Sequence, residues 1–362
     1  MRRPDDLLTG PIRKTRAEID LGTVVRNLHS VQSRVGDHVG ILAVVKADAY
    51  GHGAIPVARA LERAGVLGLA VSLAEEGIEL RRAAIGGLIV VMGGAYDVAH
   101  REILSHGLVP VVSDLHDLHA FARAARSLGT RARIHVKIDT GMSRLGLRPA
   151  QVAAFLAAAA VTSDVEIVGV CTHLASAESD PAFTRQQLAR FDAARRAFPP
   201  GIMVHAANSA ATTELPASHY DAVRPGILLY RDAMRFVTAV SAVRDVVAGD
   251  PVSYGGLWRA PGPRRIATLP VGYADGYPRR LTGAGEVLVR GRRCPVVGAV
   301  CMDMTMIDVT EVPGVAVGDE AVLLGAQGQE RISARELADR AGLIEYEITC
   351  GVSKRVPRFY FP

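Results

Sequence analysis

Eight apolar runs rich in β-branched residues recur between residues 41 and 226, and they limit the possible folds more than any other feature. The runs are ILAVVK (41–46), LGLAV (67–71), LIVVMG (88–93), LVPVVS (108–113), RIHVKID (133–139), VEIVGVCTHL (165–174), MVHAANS (203–209) and YDAVRPG (220–226). Helix-like segments rich in Ala, Leu, Glu and Arg separate most of them. Continuous apolar strands alternating with such helices are typical of a parallel sheet. Eight strands in roughly 190 residues is the density of a (β/α)8 barrel.

A doubly wound open sheet is the alternative to this α/β barrel. Such a sheet would more naturally show a Gly-rich dinucleotide turn after an early strand. The sequence contains no GxGxxG motif. The barrel is therefore the favoured architecture.

The helical periodicity of the sequence fades after about residue 231. Short strands separated by turn residues follow, as in RRIATLPVGY (264–273) and DEAVLLG (319–325). We expect a barrel domain over 1–231 and a mostly-β C-terminal domain over 232–362. The alternating segment RAEIDL (16–21) precedes the barrel strands and is expected to pair with the β domain instead.

Composition excludes several classes of protein. The net charge of +5 is spread over short arginine clusters, with no long basic run suited to nucleic acid. No stretch reaches the roughly 18 apolar residues of a membrane helix, and MRRPDDLLTG (1–10) lacks the apolar core of a secretory signal. The four cysteines show no metal-ligand spacing and are expected to be buried thiols, so no metal site is predicted. These features predict a cytoplasmic protein without nucleic-acid or membrane partners.

Polar residues stand where the predicted strands end, and in a barrel these ends carry the chemistry. They are Lys46 and Tyr50 after the first strand, Lys137 and then Arg144 after the fifth, Thr172-His173 after the sixth, Asn208-Ser209 after the seventh, and Arg224 with Gly226-Ile227 after the eighth. Five of the eight ends are polar, which predicts a single site at one end of the barrel.

This set of groups suits one cofactor. A lysine such as Lys46 can form a Schiff base with an aldehyde. The backbone N–H groups of Ser209, Gly226 and Ile227, with the hydroxyls of Ser209 and Tyr50, are suited to a phosphate. An aldehyde and a phosphate on one ring describe pyridoxal 5′-phosphate.

Motifs along nearly the whole chain, in order, resemble those of the alanine racemase family. They are AVVKADAYGHG (43–53), KIDTGMSRLG (137–146), THLASAE (172–178), AANSA (206–210), RPGILLY (224–230), VSYGG (252–256), VGYADGYPR (271–279) and CMDM (301–304). Each motif is weak by itself, and the ordered set is specific. The resemblance implies a pyridoxal-phosphate enzyme that interconverts L- and D-alanine, supplies D-alanine for peptidoglycan, and works as a homodimer with shared active sites.

The resemblance also implies roles for individual residues. Lys46 would hold the cofactor and act as one base, and Tyr254 from the partner subunit would act as the other, one base for each face of the α-carbon. His173 and Arg224 would favour the ionised form of the tyrosine. A phenol with a reference pKa of about 10 is otherwise a poor base.

Arg224 would face the pyridine nitrogen, where most cofactor sites of this kind have a carboxylate that keeps the nitrogen protonated. An arginine only donates hydrogen bonds and cannot share that proton, so the ring would stay a weaker electron sink. The resemblance further assigns His173 and Asn208 to the cofactor's surroundings. Arg144, Met302, Asp303 and Tyr273 are the residues that it assigns to the substrate. Lys137 would either be carboxylated and brace Arg144, or pair with Asp139.

Two departures from the family pattern stand out. The hinge over 231–253 is shorter than in relatives, with Arg231 where glycine is usual, and Lys354 stands where some relatives have tyrosine. Other readings remain open: a racemase for serine, lysine or ornithine, a non-catalytic pyridoxal-phosphate-binding protein, or a decarboxylase, against which Arg224 argues.

Overall fold

The computed structural model describes residues 12–362, so the segment MRRPDDLLTG lies outside the described residues. The chain divides into two compact units. The barrel unit is Val24–Tyr230, and the β unit is Arg231–Pro362 together with the described chain up to Thr23. The sequence-based boundary lay at 231/232.

The first strand, β1 (Arg16–Asp20), belongs to the β unit, and the next eight strands form a closed parallel barrel. The barrel strands are β2 (Gly40–Val44), β3 (Gly68–Val71), β4 (Leu88–Val91), β5 (Val109–Val112), β6 (Ala132–Lys137), β7 (Val165–Cys171), β8 (Met203–His205) and β9 (Ala222–Val223). Closure is made where β9 pairs with β2, with Gly40 opposite Ala222. Each strand coincides with one of the eight apolar runs, with β2 and β6 beginning one residue before theirs, so the predicted fold class is confirmed.

Helices follow the barrel strands and cover them with apolar faces. They are α1 (Leu21–Val35), α2 (Lys46–Gly51), α3 (Ala54–Arg63), α4 (Ala74–Arg82), α5 (His100–Ser105), α6 (Leu115–Ser127), α7 (Val152–Ala160), α8 (Pro181–Arg195), α9 (Ser209–Glu214) and α10 (Ile227–Tyr230). In α6, for example, Leu118, Phe121 and Ala125 are buried at helical spacing. Asp114 caps this helix by accepting the Asp117 N–H at 2.8 Å.

The β unit is built around a seven-stranded sheet in the order β16-β15-β18-β10-β1-β20, with β19 paired to β18. Smaller sheets are β11-β14-β17 and β12-β13. The strands are β10 (Met234–Ala239), β11 (Ala242–Val246), β12 (Pro251–Val252), β13 (Trp258–Arg259), β14 (Arg264–Leu269), β15 (Glu286–Val289), β16 (Arg292–Pro295), β17 (Thr305–Asp308), β18 (Glu320–Gln327), β19 (Glu330–Ile332) and β20 (Arg358–Phe361), and two helices, α11 (Ala334–Ala341) and α12 (Glu345–Gly351), complete the unit.

Strand β1 lies inside the large sheet of the β unit, antiparallel to β10 and parallel to β20. Its alternation buries Ala17 and Ile19 completely in the core of that unit. Burying one face of a strand fixes its register, because a slip of one residue would expose that face. This is the pairing expected for residues 16–21.

Two further expectations concern membranes and cysteines. None of the helices in residues 12–362 combines the length and the apolar character that crossing a bilayer requires. Burial of the thiols is confirmed for Cys171 and Cys294, but it is wrong for Cys350, which is exposed, and Cys301 is half-buried.

Candidate active site

The polar strand ends of the barrel unit lie together at the C-terminal end of the barrel, which we call the barrel mouth. Arg224 Nη2 donates to Thr172 O at 2.7 Å, which joins the ends of β9 and β7. The electrostatic surroundings of His173 agree with this. Burial lowers its pKa well below the usual range, and the nearby charges of Arg224, Lys137, Arg144 and Lys46 lower it further. Four cations from three different strand ends therefore act on one imidazole, which stays neutral at pH 7.

Lys46 begins α2, which is a left-handed turn and not a right-handed helix. Ala47, Asp48, Ala49 and Tyr50 all have φ between 52° and 54°, in the left-handed region. This costs L-residues roughly 1–2 kcal/mol each. The turn is held at its start by Glu76, whose carboxylate accepts the Ala47 N–H at 2.6 Å.

At the other end of the turn, the Asp48 carboxylate accepts the Ala54 N–H at 2.6 Å. The turn buries Ala49 and Tyr50 while Ala47 and Asp48 stay exposed. The turn thus returns the Tyr50 ring to the interior of the barrel unit four residues after Lys46. The sequence does not indicate this conformation, because helix and turn propensities contain no left-handed preference for Ala or Tyr.

Arg224 is buried and makes three side-chain hydrogen bonds. Its guanidinium donates to Thr172 O (2.7 Å), Ala206 O (2.9 Å) and His205 Nδ1 (2.6 Å). Since arginine is only a donor, His205 Nδ1 must accept, and its Nε2 then donates to His135 Nδ1 at 2.8 Å. The result is a chain of hydrogen bonds with a fixed direction from Arg224 through His205 to His135.

Both imidazoles of this chain are neutral. Burial, with the Arg224 charge next in importance, lowers the pKa of His135 to about 4 and that of His205 well below its usual range. Gly169 makes room for the first ring, because a Cβ there would lie 2.7 Å from His135 ring atoms. Because both imidazoles are neutral, Arg224 carries the only positive charge among these three hydrogen-bonded side chains.

The residues predicted to bind phosphate lie together. Gly226 N donates to Ser209 Oγ at 2.9 Å, and a Cβ at Gly226 would lie 2.3 Å from the Tyr50 hydroxyl. Because Gly226 has no side chain, the Tyr50 hydroxyl can lie against its backbone, beside the Ser209 hydroxyl. Hydroxyls and backbone N–H groups of this kind suit a phosphate. The Asn208 side chain is occupied locally, accepting from Ala211 N and donating to Leu174 O.

Lys137 is almost entirely buried, with 8% of its surface exposed. Burial lowers its pKa, and the charges of Arg144 and Arg224 act in the same direction, opposed by Cys171. The Asp139 carboxylate is occupied by the N–H groups of Gly141, Met142 and Ser143. Within residues 12–362 Lys137 forms no ion pair, so pairing with Asp139 is not the structure observed.

The predicted residues of the β unit lie on its surface. Tyr254 is 76% exposed and Met302 52% exposed. Both line a cavity of about 760 Å³ that also includes Asp303. The preceding Ser253 has φ 66° and is fastened to Ala299 O by its hydroxyl at 2.7 Å, which fixes the backbone that presents Tyr254.

In the same unit, the backbone at Tyr273 is hydrogen-bonded to the CMDM segment (301–304). Tyr273 N donates to Cys301 O at 3.0 Å, and Ala274 N donates to Met302 O at 3.1 Å. A Cβ at Gly272 would lie 2.2 Å from Cys301 O, so only glycine permits this approach. Lys354 is exposed in this unit, and its possible role toward a phosphate stays a prediction.

Two residues of the barrel mouth were missed from the sequence: His135 and His205. A signal existed for the first, because His135 precedes Lys137 by two residues in one strand, and residues two apart share a face. For His205 the strand MVHAANS gave only its position just before the strand end. No group of His, Cys, Asp and Glu in the described chain is arranged to hold a metal ion.

Comparisons with known proteins agree with this (β/α)8 barrel and β unit. The family profile "Alanine racemase, N-terminal domain" matches residues 19–233, and "Alanine racemase, C-terminal domain" matches residues 233–360. An alanine racemase of Halothermothrix orenii is 42% identical over 96% of this chain and 97% of the relative. One of Symbiobacterium thermophilum is 45% identical at the same coverage.

A solved structure shares the fold closely. The alanine racemase of D-cycloserine-producing Streptomyces lavendulae superposes with a TM-score of 0.92 at 36% identity, covering 98% of each chain. The fold and its strand-end site thus define an enzyme of the isomerase class. The chain belongs to the alanine racemase family, as the sequence predicted.

Proposed function

We propose that this protein interconverts L-alanine and D-alanine with pyridoxal 5′-phosphate, using Lys46 and Tyr254 as its two bases. The observation that carries the proposal is the convergence of Lys46, Arg144 and Arg224 around neutral His173 at the barrel mouth. Positive charge is concentrated where an anionic cofactor and a substrate carboxylate would bind. We place the enzyme in the cytoplasm, where its product would supply peptidoglycan synthesis.

The barrel mouth fits the cofactor. The Lys46 amine would hold it covalently, and the hydroxyls of Tyr50 and Ser209 with the backbone of Gly226 and Ile227 would bind its phosphate. His173 and Asn208 would line the remaining space. When bound, the cofactor withdraws electrons from the amino acid and so makes its α-proton removable.

Arg224 would lie beside the pyridine nitrogen. The His205–His135 chain stays neutral, so it offers Arg224 an acceptor without cancelling its charge. A guanidinium cannot take up the proton that a carboxylate partner would share. We infer that this end of the site limits how much negative charge builds up, which favours return of the proton over decarboxylation.

Each base would serve one face of the substrate α-carbon. The Lys46 amine handles the proton on its own side, and the Tyr254 phenol of a second copy handles the other side. Tyr254 and Met302 are largely exposed on the β unit, as residues that complete a partner's site would be in one isolated chain. This supports a homodimer with shared active sites.

The substrate would be held by Arg144, the Met302 N–H, Asp303 and Tyr273. Lys137 is suited to carboxylation because burial lowers its pKa, and the neutral amine is the form that reacts with CO₂. The carbamate would carry a negative charge close to Arg144 and brace it toward the substrate carboxylate.

A substrate screen tests the proposal. The holoenzyme is incubated separately with L-alanine, L-serine, L-lysine and L-ornithine, and the D-enantiomer is measured by chiral chromatography. We expect the highest kcat/KM with alanine. A higher value with another amino acid would reassign the substrate. A cofactor-loaded protein that racemises none of the four would support a non-catalytic pyridoxal-phosphate-binding protein instead.

A further inference from the structure

We propose that Arg355 is a selectivity residue: by pairing with Asp303, it removes from the substrate cavity a negative charge that would otherwise attract amino acids with cationic side chains. The proposal rests on the proposed function, because it takes Asp303 to lie at the substrate site. It concerns the β unit alone, where each contact below is observed.

The pair itself is direct. Arg355 Nη2 donates to Asp303 Oδ1 at 2.7 Å. Between two half-exposed side chains such a contact contributes little to stability. Its effect would therefore be on the charge presented to a ligand and on the position of the carboxylate, rather than on folding.

Arg355 is held from its other side by a buried acid. Its Nε lies 3.5 Å from Asp275 Oδ1, and the Asp275 side chain has no exposed surface. Arg13 donates to both oxygens of the same carboxylate at 2.6 and 2.9 Å. Charges thus alternate in the order Arg13, Asp275, Arg355, Asp303, and the buried acid keeps Arg355 within reach of Asp303.

The backbone around this chain of charges is equally constrained. Ser353 N donates to Asp275 O at 3.1 Å, and Gly272 N donates to Asp275 Oδ2 at 3.1 Å. A Cβ at Gly276 would lie 2.2 Å from Gly351 O, so the two segments touch. Arg355 therefore reaches Asp303 from a fixed position.

Pairing with Arg355 determines the net charge of the cavity wall, because the wall has few charged residues. Among the described residues that line the cavity, Asp303 is the sole carboxylate and Arg244 the sole cation. Arg355 is not a lining residue and reaches Asp303 from outside the cavity. With Asp303 paired, the wall has no available negative charge, and Arg244 adds a positive one. A small neutral side chain suits this wall better than the ammonium of lysine or ornithine.

The test compares L-ornithine with L-alanine in variants of the full-length holoenzyme. For each variant, KM for alanine and the inhibition constant of ornithine against alanine turnover are measured, and their ratio gives the selectivity. The ratio does not depend on how much protein is correctly folded. A merely structural role for Arg355 would leave it unchanged.

We expect Arg355→Gln to shift the ratio about fivefold in favour of ornithine, the size of a newly available surface charge pair. Arg355→Lys keeps the cation and should stay near wild type. The double variant Arg355→Gln with Asp303→Asn should lose the gain. Arg335→Gln, which breaks an exposed pair with Asp339 on α11, is the matched control and should change nothing.

An unchanged ratio in Arg355→Gln, or a shift that persists in the double variant, would overturn the proposal. If the holoenzyme turns over neither amino acid, the proposed function fails separately. Calorimetric titration of ornithine and alanine into wild type and Arg355→Gln then decides the selectivity claim, and equal shifts for both ligands would end it. If Arg355→Gln does not fold, Arg355→Met, which keeps most of the side-chain length and removes the charge, takes its place and should give the same shift. An unchanged ratio in Arg355→Met would likewise overturn the proposal.

Discussion

The two units hold their candidate functional residues in opposite ways. In the barrel unit, Arg224, His205 and Lys137 are buried, and Arg224 is hydrogen-bonded in a fixed direction. In the β unit, Tyr254 and Met302 project from the surface, and only the backbone beneath them is fastened. The difference teaches that the barrel unit holds its candidate residues in a preformed arrangement, whereas the β unit leaves its own candidate side chains exposed, as the proposed dimer would require. Substitutions at these buried residues of the barrel unit should therefore affect both the stability of the protein and its activity. Substitutions at Tyr254 and Met302 should affect activity alone.

The largest effect on activity is expected from substitution of Lys46 at the barrel mouth. Lys46→Ala should lower racemisation about a thousandfold or more, because it removes a base as well as the covalent attachment of the cofactor. Borohydride reduction followed by peptide mapping should find the cofactor fixed to Lys46 in wild type. The exposed Lys14→Ala is the control, and cofactor fixed at any other lysine would contradict the assignment.

Tyr254→Phe sharpens the comparison from the β unit. We expect turnover to fall about a hundredfold or more through loss of a base. Cofactor content and melting temperature should stay unchanged, because the hydroxyl sits on an exposed side chain. We assign the α-proton of L-alanine to Tyr254 and that of D-alanine to Lys46. Exchange of the α-hydrogen measured by NMR in D₂O should therefore be lost for L-alanine and retained for D-alanine.

The control for this variant is Tyr96→Phe, an exposed tyrosine of the barrel unit. Equal exchange from both enantiomers in Tyr254→Phe would exclude the phenol as the second base. A drop in melting temperature would instead show that Tyr254 is packed as the barrel residues are, which would break the comparison.

Acid should destabilise the barrel unit through its buried imidazoles. The folded chain keeps His135 neutral down to about pH 4, whereas the unfolded chain takes up a proton near pH 6.5. The stabilisation is thus complete above pH 6.5 and is lost as the pH falls to about 4. From His135 alone this amounts to about 3 kcal/mol of unfolding free energy.

Urea unfolding followed by circular dichroism at several pH values would measure this. His135→Gln should flatten the dependence between pH 6.5 and 4, although His205 contributes in the same direction. His119→Gln, at an exposed position, should retain the wild-type dependence. A variant at His135 with an unchanged slope would show that this imidazole is not held neutral.

The smallest effect is expected at Gly226, one of the residues proposed to bind the cofactor's phosphate. Gly226→Ala places a Cβ 2.3 Å from the Tyr50 hydroxyl, so it should cost about 1–3 kcal/mol of stability and weaken cofactor binding. Gly86→Ala is the control, since the nearest atom to its Cβ would be 4.0 Å away. Cofactor titration with thermal melting measures both effects, and normal binding in Gly226→Ala would place the phosphate elsewhere.

The barrel and the positions of most candidate residues could be predicted because they depend on residues close together in the sequence. Apolar runs separated by amphipathic helices fix a parallel barrel, and a parallel barrel brings Lys46, Lys137 and Arg224 to one end whatever its details. Strand β1 was harder, since pairing with β10 joins positions more than 200 residues apart, and only its alternation indicated a half-buried strand.

The sequence by itself determined the order of the elements, the strand ends and the family motifs, because each depends on residues close together in the chain. Only the tertiary structure decided which polar groups meet: His135 with His205 across 70 residues, and Arg13 with Asp275 across 262. It also decided the left-handed turn after Lys46, which Glu76 holds from another segment. Hydrogen bonds and charge pairs of this kind depend on distance in space, and the order of residues along a chain does not specify that distance until the chain has folded.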